Sequence, residues 1–476
     1  MMRSMRPRML RLPAATAILL AAAMLASCAS TATVARAPAG EPANPDAVEA
    51  YLLEQMRINR IPSIAVAIVR SGRTELLRAW GTAALEWDVP ATTSTAYQLA
   101  SATKPLTGTA LMLLVQEGSL ALDGSVRAYL PEAPAEWDRI TIRHLATHAS
   151  GISDDLGDTA SKTAADAARR LMSLPLAFEP GTRTSYGIGG YAVLQHIIEL
   201  IAGMPFPQFL HERVFVPLGM AGTRFDHSSD DGPFRTADVV PQRAQIYSLE
   251  GDQPRIFWFH YGAAAYSAGG LLATAEDLAK WAAALDSGTL LSDESAASMW
   301  DTAGQPDPDN AFAIGWAVGT YRAQRTVGHS GGPALADILR FPQEEVTIIV
   351  LTNQSTMYPY LAQGIADLVI PAPRGPAPTP IADTDTTISH RIQVLLRSLA
   401  DGHIPDEAFT DEARRGFVPQ IRTFLPPYTR SLGTPDTITL IDETTGDGRR
   451  ERAYLVSYAG KPVVWRFQLA PDGRIQ

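Results

Sequence analysis

Gln98-Leu-Ala-Ser-Ala-Thr-Lys-Pro-Leu-Thr-Gly-Thr-Ala110 places a serine three residues ahead of a lysine, at the start of an apolar helical pattern. Residues at i and i+3 share one helix face, about one turn apart. The spacing lets the Lys104 amine approach the Ser101 hydroxyl. A serine hydroxyl is a poor nucleophile at neutral pH and needs a base. A lysine can serve once burial or nearby positive charge lowers its pKa. The helix N-terminus adds a positive end that favours negative charge on the serine. Taken alone, such a pair is more often a helix cap and a solvated lysine. Its surroundings decide between the two readings.

Upstream, Ala47–Asn59 has helical spacing, with Val48, Tyr51, Leu52 and Met56 on one side. Ser63–Arg70 is β-rich, Ser71-Gly72 is a turn signal, and Thr74–Trp80 returns as a second strand. Helical patterns dominate from about 105 to 300, in Pro105–Glu117, Tyr191–Ala202, Ala275–Leu285 and the Ala-rich stretch 159–169. Strands come back at Thr326–His329, Ala336–Phe341 and Val346–Thr352, the last two flanking Pro342-Gln-Glu-Glu345. Strands at both ends of a helical middle predict an α+β fold. One antiparallel sheet is built from N- and C-terminal strands, helices lie on its faces, and an all-helical region stands beside it.

Residues 371–380 hold five prolines in ten, the mark of an extended linker, which is expected to span 371–387. Beyond it, Ile388–Ala400 reads as a helix, and Thr437–Asp442, Ala453–Tyr458 and Val463–Leu469 read as strands. A small α+β accessory domain is expected over 388–476.

The chain of 476 residues is 46% hydrophobic and 19% charged, which is globular composition. A net charge of −10 speaks against nucleic acid as a partner. Arg3, Arg6, Arg8 and Arg11 precede a short apolar run, Ala14–Leu25, and then Leu25-Ala-Ser-Cys28. This resembles the lipobox of bacterial lipoproteins, in which the cysteine is lipidated. Residues 1–27 are therefore expected to be a signal peptide, 28–45 a flexible tether, and Cys28 the lipidation site. Cys28 is the single cysteine, so no disulfide forms within the chain. The expected location is the bacterial cell envelope, facing the periplasm. Ala29, in place of Asp, favours the outer membrane. Membrane contact is then through the N-terminal lipid only.

The remaining segments carry a family resemblance. Leu99-Ala-Ser-Ala-Thr-Lys-Pro-Leu-Thr107 is followed by Leu122-Asp-Gly-Ser-Val-Arg-Ala-Tyr-Leu-Pro131 and Ile140-Thr-Ile-Arg-His-Leu-Ala-Thr-His-Ala-Ser-Gly-Ile152. Then come Glu179-Pro-Gly-Thr-Arg-Thr-Ser-Tyr186, Gly190-Tyr191, Val216-Pro-Leu-Gly-Met220, Val327-Gly-His-Ser-Gly-Gly332 and Val350-Leu-Thr-Asn353. Together and in this order they resemble the serine β-lactamase and penicillin-binding-protein family, in its class C-like branch. That branch includes family VIII esterases, D,D-carboxypeptidases and D-aminopeptidases. The resemblance implies a serine hydrolase domain over 46–370, of β-lactamase/D,D-peptidase-like fold, working without cofactor or metal. It implies Ser101 as the acylated nucleophile, with Lys104 and Tyr186 as its proton carriers. It also implies an oxyanion hole from the Ser101 and Gly332 backbones. His329, Ser330 and Gly331 form the third motif. His329 stands where the β-lactamases have lysine, and is implied to orient Tyr186 or to contact substrate.

Two departures bear on substrate. Ile188 replaces the asparagine that often follows the tyrosine by two, and its side chain cannot hydrogen-bond. Gly332-Pro-Ala-Leu335 lacks a further glycine that many members carry. His144 and His148 have the i, i+4 spacing of a metal pair, but no acidic third ligand follows, so both read as structural. Asp154 and Asp155 read as a loop or helix cap.

The expected function is hydrolysis or acyl transfer, through an acyl-enzyme, on a small ester or peptide, with esters favoured by Ile188. The alternatives are D,D-carboxypeptidase, D-aminopeptidase or β-lactamase activity, and a non-catalytic envelope binding protein. The sequence leaves the oligomeric state open.

Overall fold

All eight residues of Ser63–Arg70 are buried, on both faces of the strand, and this strand lies inside the main sheet. The structure is a computed structural model. It describes residues 44–476 apart from 158–161, 227, 230–235, 251–252, 259, 304, 306–310, 323, 333–334, 356–360, 371–378, 417, 423–424, 447–448 and 460. The leader, Cys28, the tether as far as residue 43, the linker over 371–378 and Pro333-Ala334 lie outside the described residues.

The main sheet has seven strands: β1 (Ser63–Arg70), β2 (Arg73–Ala84), β3 (Val89–Pro90), β4 (Ala317–Tyr321), β5 (Gln324–Gly331), β6 (Ala336–Phe341) and β7 (Val346–Thr352). Their order is β4-β5-β6-β7-β1-β2-β3, and every pair is antiparallel. The N- and C-terminal hairpins join where β1 pairs β7, with Ile64 opposite Thr352 and Arg70 opposite Val346. This is the sheet expected from strands at both ends of the domain.

The helices used below are α1 (Pro45–Asn59), α2 (Lys104–Gln116), α3 (Ala164–Met172), α4 (Gly189–Ala202), α5 (Ala275–Ser287), α6 (Leu361–Val369) and α7 (Thr386–Ala400). Successive strand residues point to opposite faces. Accordingly Ile64, Val66 and Ile68 pack with Val48 and Leu52 of α1 and Ile365 and Val369 of α6. Ala65, Ala67 and Val69 join a larger core with Leu278, Trp281 and Leu285 of α5 and the apolar side of α2. Each fully buried Val or Ile contributes roughly 1.5–3 kcal/mol of transfer free energy. Both helical layers are therefore strongly held to β1.

Side chains close the open ends of this frame. Asn44 Oδ1 accepts from the N–H groups of Asp46 and Ala47 and caps α1. Asn353, fully buried, accepts from Ser63 N–H at 2.9 Å and donates to Thr82 O at 3.1 Å. It ties the ends of β7, β1 and β2, so its place in the Val350–Asn353 motif is structural.

The middle of the chain is less purely helical than its periodicity suggests. It also holds the hairpin Tyr247–Glu250/Gln253–Ile256 and a small sheet of Tyr97–Gln98, Leu271–Ala273 and Arg224–Phe225. The Ala-rich stretch forms α3, which starts at Ala164 and runs three residues beyond 169. Edge strand β4 carries no clear alternation in the sequence.

Beyond residue 380, three antiparallel strands, β8 (Thr437–Gly446), β9 (Arg449–Tyr458) and β10 (Lys461–Leu469), form a meander. Ile388, Ile392, Leu395, Leu396 and Leu399 of α7 pack on Leu440, Tyr454, Val456, Phe467 and Leu469. This is a core of its own. Among the described residues no helix is long and apolar enough to cross a membrane.

Candidate active site

The nucleophile segment is held at its base by Leu99 N–H, which donates to Leu271 O at 2.9 Å. The chain then turns at Ala100, whose φ of +47° is uncommon for a residue with a Cβ. One 3₁₀ turn, Ala100–Thr103, carries Ser101 and leads into α2, whose first residue is Lys104. Thr107 Oγ1 donates to Ser267 O at 2.7 Å, fixing this helix start against the segment 266–269. Lys104 has no solvent exposure. Its Nζ donates to Ala268 O at 2.9 Å and to Tyr186 Oη at 2.8 Å. Burial brings the amine down to about 7, against the opposing pull of the Asp154 carboxylate.

Tyr186 lies just ahead of α4. The start of this helix is fixed by Asp154, whose Oδ1 accepts from the N–H groups of Ile188 at 2.8 Å and Gly189 at 2.7 Å. A Cβ on Gly187 would stand 1.9 Å from Asp154 Oδ2, so only glycine fits beneath the carboxylate. Asp154 is thus a helix cap, while Asp155 pairs with Arg170 at 2.6 Å. The Ile188 side chain packs on the main core. Burial pushes the Tyr186 phenol well above its ordinary value, and the Ser101 hydroxyl lies within hydrogen-bonding reach of it. Ser101, Tyr186 and Lys104 therefore lie in one line, with the Lys104–Tyr186 hydrogen bond at its inner end.

The third motif is brought in by β5. A Cβ on Gly331 would fall 1.8 Å from Leu99 O, so glycine allows β5 to lie directly on the nucleophile turn. Gly332 follows, and Leu335 N–H donates to Gly331 O at 2.8 Å. Ser330 pairs with Asp337 inside the sheet. His329 is 5% exposed, and its ring centroid is 5.9 Å from that of Tyr186. Its Nδ1 lies 2.8 Å from Ser330 O. A carbonyl only accepts, so Nδ1 carries the proton and Nε2 is left as an acceptor. Nε2 is buried and has no hydrogen-bond partner among the described residues. Burial, and then the Lys104 charge, hold the imidazole down to about 3, so it is neutral at physiological pH.

Two site residues escaped sequence reasoning. The Tyr261 phenol is also within hydrogen-bonding reach of Ser101, and burial pushes it up to about 12. Its ring fills the space over Gly269, where a Cβ would meet Tyr261 Cζ at 2.1 Å. With Phe257, Ile246 and Leu335 it forms an apolar wall beside Ala100. A lone loop tyrosine far from the motifs gives no sequence signal. The second is His148. Its partner in the i, i+4 pair, His144, is structural as expected, with Nδ1 accepting from Thr141 N–H. His148 instead stands against Tyr186, with ring centroids 4.5 Å apart. Among the described residues no group of three or more His, Cys, Asp or Glu is placed to hold a metal ion.

A buried lysine of lowered pKa, with a phenol bonded to it beside a serine, can supply the base that a serine nucleophile needs. The family model described as Beta-lactamase matches residues 48–368. The chain belongs to the beta-lactamase family. Its sheet and helices have the fold of that family. Protein flp of Staphylococcus aureus (strain COL) is 26% identical over 326 residues, covering 65% of this chain and 63% of flp. The chain thus spans just under two thirds of that relative's length. Among solved structures, the octameric penicillin-binding protein homologue from Pyrococcus abyssi superposes with a TM-score of 0.58 at 22% identity. That match covers 90% of this chain and 91% of the homologue. EstCE1, a hydrolase with promiscuous acyltransferase activity, gives a TM-score of 0.58 at 25% identity, covering 68% of this chain and 98% of EstCE1.

Proposed function

We propose that this beta-lactamase-family hydrolase cleaves small esters, and amides less well, through an acyl-enzyme on Ser101. The observation that carries the reading is the line Ser101–Tyr186–Lys104, with its amine near 7 and its phenol held protonated. Ser101 Oγ attacks the substrate carbonyl carbon. Its proton passes to the Tyr186 oxygen as the phenol's own proton passes to the Lys104 amine. The N–H groups of Ser101 and Gly332 receive the oxyanion, and such donors are worth roughly 3–4 kcal/mol of barrier each. As the intermediate collapses, Lys104 returns its proton through Tyr186 to the departing oxygen or nitrogen. Water, or an alcohol in acyl transfer, then attacks the acyl-serine with the same relay acting in reverse.

Ester preference is supported by two side chains. Ile188 offers no hydrogen bond to a substrate amide. His329 presents a lone pair, where a penicillin or a D-alanyl-D-alanine peptide would place its carboxylate against a cation. The likeness to EstCE1 supports the same side. Placement at the cell envelope through a lipid on Cys28 is part of this proposal and rests on the leader sequence. Loss of palmitate-analogue labelling in Cys28→Ala would support it, and unchanged labelling would refute it.

The decisive experiment treats a form beginning near residue 40, and its Ser101→Ala variant, with a fluorophosphonate and records intact masses. One adduct on the parent and none on the variant supports the reading. No adduct on the folded parent overturns it and leaves a binding protein. Short acyl esters, a D-Ala-D-Ala peptide and a penicillin then test the preference.

A further inference from the structure

His148 takes no part in the proton path, yet its contacts converge on Tyr186. Its backbone sits in the left-handed region at φ +60°, a conformation that the surroundings must hold in place for a bulky residue. This turn directs its carbonyl and its ring toward the same short segment. Ser185 N–H donates to His148 O at 2.8 Å. Gly187 N–H donates to His148 Nδ1 at 3.3 Å. The residues on either side of Tyr186 are thus both bonded to one histidine. The ring, 6% exposed, backs the Tyr186 ring at 4.5 Å. It is itself braced by Tyr191 at 5.1 Å and by the edge of Phe312 at 4.8 Å. Because Nδ1 accepts, the neutral imidazole carries its proton on Nε2.

We infer that His148 is the positioning residue for Tyr186: its carbonyl and Nδ1 pin the peptides flanking the phenol, and its ring backs the phenol face. Tyr186 Oη is thereby kept between Ser101 and Lys104. The inference rests on the proposal that Tyr186 relays the proton. A residue that merely filled space would need its ring and not its acceptor nitrogen.

The test is a double-mutant cycle on ester hydrolysis, with folding checked by circular dichroism and thermal melting. His148→Phe keeps an aromatic ring and removes the acceptor. It is expected to lower kcat about 100-fold, the scale of an ångström-sized misplacement, with KM within about twofold. His148→Asn keeps an acceptor near the place of Nδ1 and tolerates the positive φ, so it is expected to recover most of that loss. In a Tyr186→Phe background, His148→Phe is expected to cost little more, because the two residues act as one unit. His148→Phe within about threefold of the parent, while Tyr186→Phe is inactive, overturns the inference and leaves the relay intact. An equal loss in both backgrounds also overturns it. Full activity in Tyr186→Phe overturns the relay and the inference together. If His148→Phe does not fold, His148→Gln, whose amide lies beyond the Nδ1 position, takes its place under the same criteria.

Discussion

Lys104 Nζ lies 2.8 Å from Tyr186 Oη, and burial moves the two groups in opposite directions, the amine down to about 7 and the phenol up. Below about pH 7 the amine is an ammonium and cannot take the serine proton. Acylation by a fluorophosphonate is therefore expected to rise with pH through an apparent pKa near 7 and then level off. The phenol, raised by burial, adds no falling limb below its ordinary 10. Since the two groups titrate as a coupled pair, the apparent value belongs to the pair. A rate that stays flat from pH 5 to 9 would contradict this.

The same shift predicts a stability signature. The folded state binds the Lys104 proton less tightly than the unfolded chain does. Its cost to stability is full below about pH 7 and is relieved as pH rises toward 10.5. Lys104→Met carries no such term. The difference in unfolding free energy between parent and Lys104→Met should therefore move in the parent's favour from pH 6 to 10. Urea titrations at several pH values measure it, and a constant difference would mean that the amine keeps its ordinary pKa.

Two phenols reach Ser101, but only Tyr186 also receives the Lys104 amine. Tyr186→Phe breaks the relay and is expected to cost roughly 10²–10⁴-fold in kcat, the usual worth of a general acid–base group. Tyr261→Phe removes one hydrogen bond from the nucleophile and keeps the apolar wall. Its loss is expected to be about tenfold. Equal losses would place Tyr261 in the proton path as well.

Part of this site is legible in the amino-acid sequence. Local spacing places Ser101 and Lys104 one helical turn apart, whereas Tyr186 and His329 are singled out by the family resemblance of their motifs. The strands β1 and β7 are β-branched runs, and β1 and β6 end where turn residues begin. What spacing does not carry is what tertiary packing alone creates. Tyr261 reaches Ser101 only because Gly269 leaves room for its ring. His148 reaches Tyr186 through a left-handed backbone that a histidine adopts rarely. Its i, i+4 partner His144 suggests metal spacing, whereas the observed partners of His148 come from other segments.

His329 offers a buried acceptor with no partner among the described residues, and this makes a substrate preference testable by one substitution. A carboxylate against that lone pair is disfavoured, whereas an ammonium in its place would donate to it. His329→Lys is expected to raise the ratio of kcat/KM for a carboxylate-bearing ester over its methylated counterpart. A charge-assisted hydrogen bond of roughly 1.5–3 kcal/mol corresponds to about 10- to 100-fold. Competition between the two esters measures the ratio directly. A ratio unmoved by the substitution would place the substrate's polar end elsewhere.

Arg340 and Asp286 form an ion pair at 2.5 Å with side chains 3% and 2% exposed. Asp286, at the end of α5, also accepts from Gly72 N–H at 2.9 Å in the β1–β2 turn. Arg340, on β6, also donates to Thr347 Oγ1 at 2.8 Å and lies 4.9 Å from the Trp300 ring. The pair fastens α5 to the sheet far from the nucleophile in sequence. Asp286→Ala leaves a buried guanidinium without its counter-charge, which typically costs about 3–5 kcal/mol. Asp286→Leu with Arg340→Met removes both charges and keeps apolar volume, so it is expected to recover most of that loss. Urea midpoints of the three proteins decide it, with acylation per folded molecule expected to stay at the parental rate. If the double variant were no more stable than Asp286→Ala, the hydrogen bond to Gly72, and not the ion pair, would be what holds α5 to the sheet.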